Sequence, residues 1–117
     1  MGQIVDVAGV GDIPEGEAIV VSGLDNETGK DIAVFHTEDD EFYALDDECT
    51  HETASLADGW LEGDRVECPM HASDFCLKTG KVMCLPATES TFTHKVEVVQ
   101  GRVLLHPGQS VEGAERP

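Results

Sequence analysis

Cys49-Thr50-His51 and Cys68-Pro69-Met70-His71 are two short, matched pieces of sequence, with sixteen residues between His51 and Cys68. Each supplies one thiolate and one imidazole, ligands that suit iron, zinc or copper and not calcium or magnesium. Structural zinc knuckles usually pair cysteine with cysteine and histidine with histidine. Here each clip is mixed. In C-x-H the two ligands are two positions apart, so on extended backbone both side chains can point the same way. Two such clips facing each other can grip a [2Fe–2S] unit, or the same four side chains can hold one zinc ion. A disulfide with two unrelated histidines is the remaining reading, and the repeated pairing of cysteine with histidine argues against it.

Upstream of the clips the sequence reads as strands and turns. Short apolar stretches at Ile4–Val7 and Ala18–Val21 are separated by a Gly/Pro/Asp-rich segment. Ile32–His36 and Glu41–Leu45 flank Thr37-Glu38-Asp39-Asp40, which predicts a hairpin with an acidic tip. His36 has no second ligand beside it in sequence and is expected to be structural.

From Asp46 to Pro86 the chain turns loop-rich. Thr53–Ala57 leaves room for about one helical turn, Gly59–Gly63 reads as a turn, and Arg65–Cys68 as the strand that delivers the second clip. Asp74–Leu77 and Lys81–Cys84 suggest a further hairpin. Trp60, the single tryptophan, is expected to pack against the interior. After Pro86, Thr91–Val99 alternates, with Phe92, His94, Val96 and Val98 on one face, and Arg102–Leu105 follows. Residues 1–106 are expected to form one domain, with 107–117 a mobile tail rich in Gly, Pro and Glu.

The chain has 117 residues, the size of one domain with a true core. Its formal charge is −17, from 24 acidic and 7 basic residues. Nucleic acid is excluded as a partner, since phosphate neutralisation needs clustered Lys and Arg, and an anionic membrane is disfavoured for the same reason. Such a field favours partners with basic docking patches. No apolar run reaches transmembrane length and the N-terminus has no export signal, so a soluble, cytoplasmic protein is expected. Cys76 and Cys84 are then expected to be reduced and buried.

The pattern C-T-H…C-P-x-H resembles the Rieske iron–sulfur family, strongly over about Phe42–Pro86 and by strand order elsewhere. The resemblance implies an all-β fold, a sandwich or small barrel of antiparallel strands, carrying an inserted cluster-binding subdomain at about 46–86. It implies one [2Fe–2S] cluster, with Cys49 and Cys68 on the inner iron and His51 and His71 on the outer, solvent-facing iron. Pro86 falls where the family has a covering loop.

Departures from the family pattern bear on the redox potential. Ala54 and Met70 stand where high-potential members have a bridging pair of cysteines. Phe75 stands where those members carry a tyrosine hydroxyl near sulfur, whereas Ser73 retains their serine. A potential near the low end of the Rieske span follows, lifted slightly by Ser73.

The resemblance is to soluble ferredoxins of bacterial aromatic-ring-hydroxylating dioxygenase systems, such as those acting on biphenyl or carbazole. It implies a monomeric electron carrier, not an enzyme. Such a carrier would work between an NAD(P)H-dependent flavin reductase and a terminal Rieske oxygenase. The alternative is a Rieske subunit of a larger redox enzyme, such as a nitrite-reductase small subunit. His94 and His106 are separated and have no evident carboxylate partner in sequence. A second, facial-triad iron site is therefore not expected.

Overall fold

The computed structural model describes residues 4–23, 29–38, 40–48, 55–67, 74–77 and 93–107. They form nine strands: β1 (Val5–Gly9), β2 (Glu17–Val21), β3 (Ile32–His36), β4 (Phe42–Asp46), β5 (Trp60–Glu62), β6 (Arg65–Glu67), β7 (Asp74–Cys76), β8 (Thr93–Val99) and β9 (Arg102–His106). A single 3-10 turn, Leu56–Asp58, precedes β5. Six strands make one antiparallel sheet in the order β1-β9-β8-β4-β3-β2, and β5-β6-β7 make a second, smaller one. The all-β, antiparallel reading of the sequence is therefore correct. Among the described residues, no helix is long and apolar enough to cross a membrane.

The unbroken apolar run of β3 has a direct cause. Every residue of Ile32–His36 is buried. Successive side chains of a strand point to opposite faces, so both faces of β3 must be covered. Ile32 and Val34 pack with Ile13, Val21, Ala44, Val103 and Leu105 on one face of the large sheet. Ala33 and Phe35 face the other way, where Leu45, Leu56, Val66, Phe75 and Leu77 cover them. The small sheet is thus welded to the large one through an apolar layer. Leu56, Val66, Phe75 and Leu77 are each at most 1% exposed, and burying a side chain of this kind is worth about 1.5–3 kcal/mol.

Element boundaries differ from the sequence reading in two instructive places. Gly59–Gly63 is not a turn: Trp60–Glu62 pairs with Arg65–Glu67, and the reversal is at Gly63-Asp64. Gly63 takes φ +60°, the left-handed conformation such a tight reversal needs. In β8, Thr93 and His94 are both buried while Val98 is 50% exposed. The alternating face expected there breaks down because β8 leaves the sheet interior along its length. The expected Lys81–Cys84 hairpin partner and the 107–117 tail beyond Pro107 lie outside the described residues.

The β3–β4 hairpin has the expected acidic tip, closed by Thr37 N–H donating to the Glu41 carbonyl at 2.8 Å. His36 is buried at its base with partners that sequence spacing did not reveal. One ring nitrogen, Nδ1, lies 2.6 Å from the Ile13 carbonyl oxygen, and Nε2 lies 2.7 Å from Asp40 Oδ1. The ring stacks on Phe42 at 4.1 Å. A neutral imidazole donates only one proton, whereas both neighbours are acceptors, so this geometry favours imidazolium. Burial opposes the charge, but the Ile13 carbonyl, Asp40 and Glu15 outweigh it and hold the pKa above its ordinary 6.5.

Because the folded-state pKa is raised, the stabilisation is full below about pH 6.5 and is lost as pH rises through the folded-state value. Asp40 has φ +63°, a conformation Asn tolerates well, so Asp40→Asn isolates the charge. The urea midpoint of Asp40→Asn should fall below wild type at about pH 5.5, with the gap closing by about pH 9. A gap of the same size at both pH values contradicts the imidazolium assignment.

Candidate metal centre

Cys49, His51, Cys68 and His71, together with Ala54, Met70, Ser73 and Pro86, lie outside the described residues. What the structure supplies is the frame that holds the two clips. Glu48 and Ser55 form an antiparallel bridge, so the six residues between them, beginning with Cys49, start and end at one point. Glu67 and Asp74 form an antiparallel pair at the ends of β6 and β7, and the six residues between them begin with Cys68. Both clips therefore occupy spans of equal length, each closed at its ends by backbone pairing. In each, the cysteine is the first residue past the closure.

The two closures are also tied to each other. Asp47 is buried, and its Oδ1 accepts from Ser55 Oγ at 2.8 Å and from the Ala57 N–H at 2.9 Å. Its carbonyl accepts from the Leu56 N–H at 2.7 Å, and its own N–H donates to the Asp31 carbonyl at 3.0 Å. Ser55, at the N-cap of the 3-10 turn, makes no side-chain capping bond of its own. Asp47 does that work from just past the end of β4, satisfying an otherwise orphan N–H. The turn then leads through Gly59 to Trp60, which pairs directly across from Glu67. A Cβ on Gly59 would fall onto the Glu67 carbonyl oxygen, so only glycine lets the first closure lie this near the second.

This frame fits the donor set. Two thiolates and two imidazoles on adjoining, end-closed spans suit a compact cluster with chemically unlike halves. Phe75, alone among the sequence-derived site residues, is described: it is fully buried opposite Val66 in the layer joining the two sheets. It is an apolar support beneath the second closure. Asp47 and Gly59 went unnoticed in the sequence, since their roles depend on contacts with Ser55, Ala57 and Glu67 that no motif spells out.

The remaining histidines are separately accounted for. His94 Nε2 lies 2.7 Å from Asp46 Oδ1, and His106 Nε2 lies 2.9 Å from Glu97 Oε1. Both thus have the carboxylate neighbour that the sequence reading denied them. The two pairs sit on different strand pairings, His94 opposite Ala44 and His106 opposite Lys95. Among the described residues the single grouping with metal-ligand composition is Glu15, His36 and Asp40, with ligand atoms within 4.8 Å of one another. Its 2.7 Å N···O separation is a hydrogen-bond length and is filled by a proton. It also sits at the other end of β3 from the clips, since His36 pairs with Phe42 and Ile32 with Asp46.

Comparison with known families agrees with the frame. Residues 3–101 match the Rieske [2Fe-2S] domain. The chain is a Rieske domain. Its family carries one Rieske-type [2Fe–2S] cluster, in line with the iron–sulfur reading of the clips and against the zinc reading. Over 97 residues the domain is 47% identical to the 3-phenylpropionate/cinnamic acid dioxygenase ferredoxin subunit of Escherichia coli K12, covering 82% of this chain and 86% of that protein. Among solved structures it is similar to a chain in the complex of reduced oxygenase and oxidized ferredoxin of carbazole 1,9a-dioxygenase. The TM-score is 0.83 at 33% identity, covering 93% of this chain and 97% of that one. A nitrite reductase small subunit from Mycobacterium tuberculosis superposes with a TM-score of 0.81, covering 93% and 98% of the two chains. At 16% identity it shows the shared fold alone.

Two expectations need correction at this end of the Rieske domain. Trp60 is not packed inside: it is 61% exposed. Leu61 packs against the apolar layer, so strand alternation turns Trp60 and Glu62 outward. Cys76 is a free thiol as expected, but half-buried and not fully enclosed, whereas Cys84 lies outside the described residues.

Gly59→Ala should cost about 1–3 kcal/mol, as a forced backbone shift does, and lower the cluster content of purified protein. Asp47→Ala, which strands the Ala57 N–H and the Ser55 hydroxyl, should cost about 1–3 kcal/mol, and Asp47→Asn less. Thermal melts followed by visible absorbance of the cluster measure both. Wild-type melting and iron content in either alanine variant would remove these residues from the frame.

Proposed function

We infer that this chain is a one-electron carrier of an aromatic-ring-hydroxylating dioxygenase system. In this reading it accepts electrons from an NAD(P)H-dependent flavin reductase and delivers them to a terminal Rieske oxygenase. The observation that carries it is the 47% identity, over most of both chains, to a dioxygenase ferredoxin subunit. The superposition on a chain of a ferredoxin–oxygenase complex supports the same role. The chain itself transforms no substrate.

In this proposal Cys49 and Cys68 hold the inner iron, and His51 and His71 hold the outer one. The cluster, when bound, gains and loses one electron. Residues 46–86 form the cluster-binding part of a single domain, 1–106, consistent with β5, β6, β7 and the 3-10 turn all falling within that range. Ala54 and Met70 leave no bridge between the clips, and Phe75 offers no hydroxyl to a sulfur, which favours a low potential. Ser73 supplies a hydroxyl that raises it, and Pro86 stands where the family has a loop that covers the cluster. In this reading the protein works as a cytoplasmic monomer, and the free Cys76 thiol suits a reducing compartment.

Electrostatics decide how it meets its partners. Residues 46–67 carry eight acidic side chains against the single Arg65, so basic docking faces are drawn to the clip end. Rapid mixing of the holoprotein with the flavin reductase and NADH, then with an oxygenase, tests the role. Both transfers should be seen, with second-order rates falling as salt rises from about 0.05 to about 0.5 M. Reduction without onward transfer to any dioxygenase oxygenase contradicts the proposal. Ser73→Ala should lower the midpoint potential, and an unchanged or higher value removes Ser73 from the account.

A further inference from the structure

Trp60 has the highest fractional exposure of any large hydrophobic side chain among the described residues, at 61% against 54% for Ile4 and 50% for Val98. It is also the one on a strand that adjoins the second closure. It lies directly across from Glu67, which immediately precedes Cys68. Strand alternation puts Trp60 and Glu62 of β5 on the same outer face as Arg65 and Glu67 of β6, because Trp60 pairs with Glu67 and Glu62 with Arg65. The opposite face of this sheet, Leu61, Val66 and Phe75, is committed to the interior. An aromatic ring left in water on a rigid strand, rimmed by carboxylates, has the composition of an interface anchor, not of a solvated face.

We propose that Trp60 is the aromatic anchor of the surface on which the terminal oxygenase docks. The charge pattern supports that occupant. Glu62 and Glu67 share the outer face with Trp60, Asp58 lies two residues before it, and Arg65 is the one cation on that face among the described residues. The complementary surface is an arginine- or lysine-bearing patch that lays a cation over the ring and pairs the rim carboxylates. A second copy of this chain, at −17, is the wrong charge for that role. The oxygenase is chosen over the reductase because a similar ferredoxin is found in complex with its oxygenase. The inference rests on the carrier function proposed above and adds where the electron leaves.

Trp60 is the chain's single tryptophan, which makes it a clean reporter. Holoprotein labelled with 5-fluorotryptophan gives one protein fluorine resonance. It is titrated with unlabelled oxygenase of the 3-phenylpropionate or the carbazole system, whichever the carrier supports in turnover. The resonance should shift or broaden with oxygenase and reverse at high salt. In steady-state turnover Trp60→Ala should raise the KM for the carrier about tenfold or more, as loss of a hot spot does, with kcat at saturating carrier unchanged. Trp60→Phe should recover most of that loss. The visible spectrum and midpoint potential of both variants should match wild type, which separates docking from damage to the cluster.

An unmoved resonance alongside normal turnover overturns the proposal. A shift produced by the reductase alone, or by raising the concentration of the carrier itself, assigns the surface to another occupant and also overturns it. Failure of every oxygenase to accept electrons from wild-type protein sinks the carrier reading first, and this inference with it.

Discussion

Two backbone closures, Glu48 with Ser55 and Glu67 with Asp74, are what the rest of the molecule serves. Each fixes both ends of a six-residue span that begins with a cysteine. A cluster held by four side chains needs its ligand spans to meet at a set separation, and neither span is long enough to carry a core of its own. The separation is imposed from outside, by the hydrogen bonds of Asp47 and by the bare backbone of Gly59 lying against Glu67. The apolar layer of Phe35, Leu45, Leu56, Val66 and Phe75 then fastens that arrangement to the large sheet.

This division of labour explains the unusual burial of β3. A strand in a simple two-layer fold shows one polar face, but Ile32–His36 is covered on both sides because the clip-bearing part packs on its outer face. Phe35 and Phe75 both belong to the joining layer, and Tyr43 packs against it. Function and stability are coupled through the same contacts: loosening the layer loosens the frame.

Much of this was legible in the sequence. C-T-H and C-P-M-H announced the metal chemistry, because few other uses of paired cysteine and histidine exist at that spacing. Strands such as Ile32–His36 were readable from composition, and the acidic hairpin tip from its turn residues. Long-range geometry was not. Asp47 looks like one acidic residue among many until the fold brings Ser55 and Ala57 to it. His36, His94 and His106 looked unpartnered because two of their carboxylates, Asp46 for His94 and Glu15 near His36, come from distant strands or loops. Trp60 was misread because tryptophans usually pack inside, and only the pairing of β5 with β6 shows which way it faces.

The account stands on the claim that both clips hold one diiron cluster with unlike irons. Metal and sulfide analysis of the purified holoprotein, with Mössbauer spectroscopy of the reduced state, tests it directly. The account predicts iron and acid-labile sulfide in equal amounts, and two distinguishable iron sites of which one loses one of its two nitrogen ligands in His51→Cys or His71→Cys protein. A colourless protein with a single zinc, or two irons in equivalent sulfur environments, would contradict it.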